Sequence, residues 1–249
     1  MLTTTRQARI LDSLRQDGQV TVEELAGQLG VSPSTIRRDL NALSADGLLR
    51  RVRGGGSVEP DRVPFSTVQQ QSPAEKAQIA QAAAALVSDG DVVLIDIGTT
   101  TALLARALRG RQITVATSSL AAIDQLRDDD AVELIVLGGA VRKNYNSMVG
   151  ALTEQALAQI RATTCFLGTS GIRADGTVMD TTGIEVPVKR AMIESSNRVV
   201  LLADSSKLPG IGTLTVCGPE AIDTVITNAD ADPGTIRSLE QNGVAVITA

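Results

Sequence analysis

From residue 92 onward the chain alternates in a way that leaves few folds open. Strand-like apolar runs fall at 92–97, 113–116, 132–137, 164–167, 198–203, 223–227 and 244–247, and helix-like runs at 100–108, 120–127, 152–160, 185–195 and 233–241 separate many of them. Strands that are apolar throughout are buried on both faces, and the helices between them supply the cover. The expected body is therefore α/β, a mostly parallel, Rossmann-like sheet. A chain of 249 residues accommodates such a body and one smaller domain. No internal repeat or low-complexity tract interrupts it.

Ligands of such sheets collect beyond the carboxyl ends of the strands, so the strand exits carry the functional signal. The first exit reads Asp96-Ile97-Gly98-Thr99-Thr100-Thr101. A glycine turns the chain, and hydroxyl residues open a helix whose free N–H groups form an anion cradle. A plain tight turn with a helix cap would read the same way. The loop lacks the Gly-Lys-Thr ending of a Walker loop and is not Gly-x-Gly-x-x-Gly. Other exits lead into Gly138-Gly139 followed by Arg142 and Lys143, into 168–172 with Gly171, and into Asp204-Ser205-Ser206-Lys207. Glu185 and Lys189 are four residues apart and share a helical face, a spacing that also suits a surface ion pair. Glycines that permit close backbone approach, cations that meet a phosphate and carboxylates that accept sugar hydroxyls converge here.

The first 58 residues have another grammar. Thr21-Val22-Glu23-Glu24 is a capping box opening a helix to Leu29, Gly30-Val31 is a tight turn, and Ser32 and Pro33 suit the cap and first position of a second helix. In that second helix Ile36, Leu40 and Leu43 line one face, while Ser34, Arg37, Arg38 and Asn41 line the other with Thr35 beside them. This is the helix-turn-helix layout with a donor-rich face suited to base edges and phosphates. An ordinary amphipathic helix with a solvated face would share the pattern. Residues 5–17 read as a supporting helix. Residues 48–53, with Arg50, Arg51 and Arg53, read as a strand, 54–56 as a glycine turn and 57–58 as a returning strand, together a wing lying on the phosphate backbone or touching the minor groove, although a flexible glycine linker would share the pattern. Residues 59–71 read as a linker, and 72–249 as the α/β body. A second capping box, Ser72 to Glu75, is expected to open a helix through Val87.

Residues 6–56 resemble the winged helix-turn-helix of the DeoR family of bacterial transcription regulators. The resemblance rests on Arg9-Ile10-Leu11, 20–25, Val31-Ser32, Thr35-Ile36-Arg37-Arg38-Asp39-Leu40 and Gly47-Leu48-Leu49-Arg50-Arg51. The body resembles that family's sensor domain, which is similar in fold to ribose-5-phosphate isomerase. Here the matching words are Asp96-Ile97-Gly98-Thr99-Thr100, Gly138-Gly139 with Arg142, 168–172, Glu185 with Lys189, Met192-Ile193, and Ala203 to Lys207. The resemblance implies a repressor of sugar catabolism that responds to a phosphorylated sugar. By position, Asp96, Gly98, Thr99 and Thr100 would hold the phosphate side, with Lys189, Asp204 and Lys207 as nearby polar contacts. Two departures stand out. The wing reads Arg53-Gly54-Gly55-Gly56 where the family usually has His-Gly-Gly-Ala, and Ile226-Thr227-Asn228 replaces the common Thr-Asp.

The totals limit the alternatives. The chain carries a formal charge of −5, yet residues 1–56 hold eight arginines against six acids, so the cationic excess is local. Three aromatic residues are too few for the stacking platforms of single-strand readers. With no histidine, His-based catalysis and His metal sites are excluded. Cys165 and Cys217, each within an apolar run, read as two buried thiols in a reducing compartment and not as a disulfide or a metal site. No run is long enough to span a bilayer, and a cytoplasmic protein without a membrane partner, cofactor or metal is expected. The expected partners are double-stranded operator DNA, a small phosphorylated sugar or related anion, and further copies of the chain as a dimer or tetramer. Two other readings stay open: a sugar-phosphate isomerase-like enzyme with a DNA-binding appendage, and an architectural protein whose body only oligomerises.

Overall fold

The computed structural model describes residues 5–7, 9–10, 13, 19–45, 50–52, 54–57, 64–210 and 212–249. The chain divides into two compact units, Met1–Thr67 and Val68–Ala249.

In the first unit, helix α1 (Val22–Leu29) begins with the expected capping box: Glu24 N donates to Thr21 Oγ1 at 3.2 Å, and Thr21 N donates to Glu24 Oε2 at 2.8 Å. It ends at Gly30, whose φ of +64° turns the chain. Helix α2 (Pro33–Ala45) opens with Thr35 N donating to Ser32 Oγ at 3.2 Å. Ile10, Val20, Leu25, Ile36, Leu40 and Leu43 form one buried core. Strand β1 (Gln19–Thr21) pairs with β3 (Gly55–Ser57), which pairs with β2 (Arg50–Val52), all antiparallel. The sequence pattern did not indicate β1, and the turn is tighter than expected. Among the described residues Gly54, at φ +85°, turns the chain; Gly55 and Gly56 are strand residues. Gly55 is required there because a Cβ would sit 2.0 Å from the Val20 carbonyl oxygen. The expected supporting helix is represented by helical residues at 5–7, 9–10 and 13. Arg53, the helix stop at Gly47, the strand start at Leu48, Val58 of the returning strand and linker residues 59–63 lie outside the described residues, as do the side chains of Arg50 and Arg51.

Helix α3 (Phe65–Gln69) leads into the second unit. Helix α4 (Pro73–Ala84) is shorter than expected, and its capping box is absent: Ser72 has φ +44° and its side chain makes no cap hydrogen bond. The main sheet has seven parallel strands: β4 (Val92–Ile95), β5 (Thr114–Thr117), β6 (Glu133–Val136), β9 (Thr164–Gly168), β12 (Val199–Leu202), β14 (Thr224–Thr227) and β15 (Ala245–Thr248). Their order is β15-β14-β12-β9-β4-β5-β6. Successive strand residues divide between two cores, as pleating requires. Val93, Ile95, Val115, Phe166 and Val200 pack under α4, α5 (Thr99–Ala107) and α6 (Leu120–Leu126). Leu94, Ala116, Cys165, Leu167 and Leu201 pack under α7 (Ala151–Leu157), α8 (Val186–Glu194) and α9 (Pro233–Gln241).

Three features depart from the alternation. The edge strand β6 exposes Ile135 and Val136 and is not covered on both faces. A hairpin joins β7 (Ala140–Arg142) to β8 (Ser147–Val149). A small antiparallel sheet unites β10 (Gly171–Ile172), β11 (Val178–Asp180) and β13 (Leu214–Cys217). Such short strands carry too little periodicity to be seen in a sequence.

Candidate functional site

From β4 the chain proceeds to β5 and β6 on one side, whereas from β9 it proceeds to β12, β14 and β15 on the other. Adjacent β4 and β9 thus form the topological switch point, where the crossovers leave a crevice at the carboxyl ends. Asp96 follows β4 there and is fully buried. Its Oδ2 accepts from Gly168 N at 2.9 Å, at the end of β9, and from Lys189 Nζ, in the first turn of α8. Lys189 is 2% exposed, and it also donates to the Gly168 carbonyl at 2.9 Å and lies 3.7 Å from Asp180 Oδ2. Burial works against its charge, but the surrounding carboxylates of Asp96, Asp180 and Glu185 overcome this and hold its pKa above the ordinary lysine value. Burial pushes the Asp96 carboxyl up, and Lys189 and the Gly168 N–H pull it back.

A second buried pair adjoins the first. Glu185 Oε1 accepts from Arg142 Nη1, on β7, and from Ser147 Oγ, on β8, at 2.7 Å. Arg142 also stacks over Tyr145, 5.0 Å from the ring centre. Burial raises the Glu185 pKa, opposed by Ser147 and Lys189. The Asp96 and Glu185 carboxylates each keep one oxygen without a hydrogen-bond partner. Among the described residues the buried side-chain atoms in that condition are Asp96 Oδ1, Ser118 Oγ, Glu185 Oε2, Thr227 Oγ1 and Asn228 Oδ1. The residues carrying four of them follow or end β4, β5 and β14, and Glu185 stands just before α8. Unmade hydrogen bonds are costly in an interior, so oxygens left so are completed by ordered water or by a bound molecule.

Beside this cluster, α5 begins at Gly98, whose φ is +142° and whose position provides no side-chain cap. The first-turn N–H groups have no acceptor within the helix. Thr99, Thr100 and Thr101 are all buried. Thr101 Oγ1 donates to the Gly98 carbonyl at 3.0 Å, which fixes the turn. The arrangement presents positive helix-end dipole next to acceptors for hydroxyl groups.

In the first unit, α2 turns Ser32, Ser34, Arg37, Arg38 and Asn41 outward, with Thr35 half-buried. Arg37 lies 3.6 Å from Glu23. The intervening Asp39 is buried, paired with Arg6 through 2.5 and 3.1 Å contacts that fasten α2 from behind. Ser32 Oγ lies 2.8 and 2.9 Å from the hydroxyls of Ser34 and Thr35.

The chain matches the DeoR-like helix-turn-helix domain over residues 6–59 and the DeoR C-terminal sensor domain over residues 71–229. It belongs to the DeoR family of transcriptional regulators. It is 38% identical to the glycerol-3-phosphate regulon repressor of Haemophilus influenzae, over 81% of this chain and 80% of that one. It is 31% identical to the HTH-type transcriptional regulator GolR of Listeria innocua, over 97% and 96% respectively. Ribose 5-phosphate isomerase A of Methanocaldococcus jannaschii overlaps 53% of this chain and 52% of its own, at 19% identity and a TM-score of 0.40.

Not every glycine or cation marked in the sequence joins the cluster of this DeoR-family sensor. Asp96, Gly98, Thr99, Thr100, Arg142, Glu185 and Lys189 do meet there. Gly139 instead admits Thr153 and Val149, whose Oγ1 and carbonyl oxygen lie 2.3 and 2.7 Å from where a Cβ would be. The Gly138 carbonyl accepts from Thr153 Oγ1 at 2.7 Å. Gly171 is approached by Gly210, whose added Cβ would fall 2.4 Å from the Gly171 Cα. Asp204 caps a short turn through Ser206, and with Lys207 it faces Lys76 rather than Lys189. Asp180, Ser147, Ser118 and Lys76 were missed. Thr117-Ser118-Ser119 repeats at β5 the hydroxyl-rich exit seen at β4, a signal that could have found Ser118.

Proposed function

We propose that this DeoR-family regulator is a repressor of carbohydrate-catabolism genes, released from operator DNA when a phosphorylated sugar binds at the switch point. The observation carrying this reading is the set of buried, unpartnered oxygens beside the α5 N-terminus. The Gly98–Thr100 turn would take the phosphate, and Asp96 Oδ1 and Glu185 Oε2 would accept sugar hydroxyls, held in place by Lys189 and Arg142. Residues 1–58 would read DNA through Ser32, Ser34, Thr35, Arg37, Arg38 and Asn41, with Arg50, Arg51 and Arg53 on the wing. Residues 59–71 would link them to the sensor at 72–249. The protein would act in the cytoplasm, without catalysis, cofactor or metal. Paired half-sites call for paired reading helices, so at least a dimer is expected on DNA, measurable by sedimentation.

An inducer must bind the DNA-free form better than the DNA-bound form, because the coupling is reciprocal. The test is a thermal-shift screen with ribose 5-phosphate, fructose 1-phosphate and glycerol 3-phosphate, followed by release from operator in a mobility-shift assay. Stabilisation without release would remove the regulatory half of the reading. Turnover of any of these compounds would replace it with the isomerase.

Gly98→Ala is expected to weaken the responding sugar phosphate by about tenfold or more, since it forces a left-handed-region φ on an L-residue. Its Cβ would also approach Thr101 Oγ1 to 3.2 Å. Operator affinity without ligand should be unchanged. A variant that responds at the wild-type concentration would take the phosphate away from this turn.

A further inference from the structure

Lys76 lies in the first turn of α4 and is only 3% exposed. An ammonium has three N–H groups to satisfy. Among the described residues Lys76 meets a single acceptor, the Val68 carbonyl, at 2.6 Å. That carbonyl also accepts from Gln71 N at 3.2 Å. Val68 belongs to α3, the helix that leads into the sensor unit.

The charged groups facing Lys76 are Asp204 and Lys207, beyond the end of β12, and Glu75 on its own helix. None of these carboxylates comes within ion-pairing distance of it among the described residues. Next to them Asn228 Nδ2 reaches the Glu75 carbonyl at 3.5 Å, while Asn228 Oδ1 and Thr227 Oγ1 remain without partners. Unspent donors and unspent acceptors thus lie at the same strand exits without meeting. Polar groups left so in an interior are completed by a bound molecule or ordered water. Burial, the largest influence, also lowers the Lys76 pKa to about 8, so an incoming anion gains by restoring its full charge.

We propose that Lys76 is a further ligand contact of the sensor and a latch on α3: it holds the Val68 carbonyl in the free protein and turns to the ligand, beside Asp204 and Asn228, when the site fills. The ligand half of this rests on the proposed function; the latch half does not. Turning of the ammonium frees the carbonyl end of α3, the segment through which the chain runs to the DNA-binding unit. Ligand capture is thereby converted into loss of order in the connection.

Hydrogen–deuterium exchange on the full chain tests it, read on amides 65–71. Without ligand, Lys76→Met should raise exchange there by about tenfold or more, the effect of losing a charge-assisted hydrogen bond. Exchange in β4 and β9 should not move, which separates the latch from unfolding. Lys76→Arg, which keeps a cation, should exchange close to wild type. Whichever of ribose 5-phosphate, fructose 1-phosphate or glycerol 3-phosphate stabilises the wild type should raise exchange at 65–71, and the methionine variant should show no further rise. Wild-type exchange in Lys76→Met overturns the latch, and unaltered exchange in the ligand-bound wild type overturns the release. If none of the three compounds shifts the melting temperature, it is the sugar-phosphate reading that fails, and the ligand-free comparison still decides the latch.

Discussion

Lys189→Met is expected to lower the unfolding free energy by about 3–5 kcal/mol, the range found when one partner of a buried ion pair is removed and the other charge is left behind. The size follows from what remains. Asp96 is fully buried and already has one unpartnered oxygen, so in the variant its Oδ2 would keep the Gly168 N–H, at 2.9 Å, but no cation. Asp180, 3.7 Å from Lys189 in the wild type, loses the same cation. Urea denaturation measures the deficit. Adding Asp96→Asn to Lys189→Met should recover more than half of it, because the uncompensated charge and not the lost lysine is the main cost. The deficit must also depend on pH with a definite sign. In the variant, burial acts on Asp96 without Lys189 to oppose it, so its folded pKa stands well above the unfolded value of about 3.9. Below pH ~4 the carboxyl is protonated in both states and no charge penalty exists. As pH rises from there the unfolded chain releases its proton first, and stability is lost until the folded pKa is passed. The variant should therefore lie nearer the wild type at pH 5 than at pH 8. A uniform deficit across that range would mean that packing, not charge, is responsible.

The parallel body was legible because its signal is local. Each of the seven expected apolar runs overlaps a strand of the sheet. The Asp96–Thr101 exit was legible for the same reason, since glycine and hydroxyls adjacent in sequence remain adjacent at the helix start. Lys189 lies in α8 and Glu185 just before it at the N-cap position, whereas their spacing also suited a surface pair with each other. Lys189 instead reaches Asp96, 93 residues away, and Glu185 reaches Arg142, 43 residues away. No helical periodicity encodes those distances. Asp180 and Ser147 were invisible because they arrive on strands of three residues whose pairing is long-range. Lys76 was overlooked because a lysine four residues into an alanine-rich helix ordinarily faces water. Gly139 and Gly171 show how a glycine can be required by the chain's own packing. A glycine at a strand exit indicates close approach, and here what approaches is Thr153, Val149 or Gly210. The failed cap at Ser72 has a backbone cause, since its φ of +44° departs from the extended conformation of a capping residue.

Arg38→Ala is expected to weaken binding to a specific operator by about 1–3 kcal/mol, or about fivefold to about 150-fold, if its guanidinium reads a base in the major groove. Arg37 and Arg38 are neighbours on the exposed face of α2 but are not equivalent. Arg37 shares its charge with Glu23 at 3.6 Å, whereas among the described residues no carboxylate lies within ion-pairing distance of Arg38. Both members of the Arg37–Glu23 pair are well exposed, so the pair is weak and its main effect is to place a negative charge beside the surface proposed to face DNA. Glu23→Gln should consequently strengthen binding at low salt to specific and non-specific duplexes alike, and the gain should fade as salt screens it. Loss of Arg38 should instead narrow the difference between the two duplexes, because a base contact discriminates and a phosphate contact does not. The measurement uses a duplex that the wild type selects from a random pool and a scrambled duplex of equal length, titrated at matched salt. The helix should survive both changes, since Ile36, Leu40 and the Asp39–Arg6 contacts that seat α2 lie on its other side. Equal losses on the two duplexes would make Arg38 a phosphate contact, and no loss on either would remove it from the interface and leave the reading of bases to Ser34, Thr35 and Asn41.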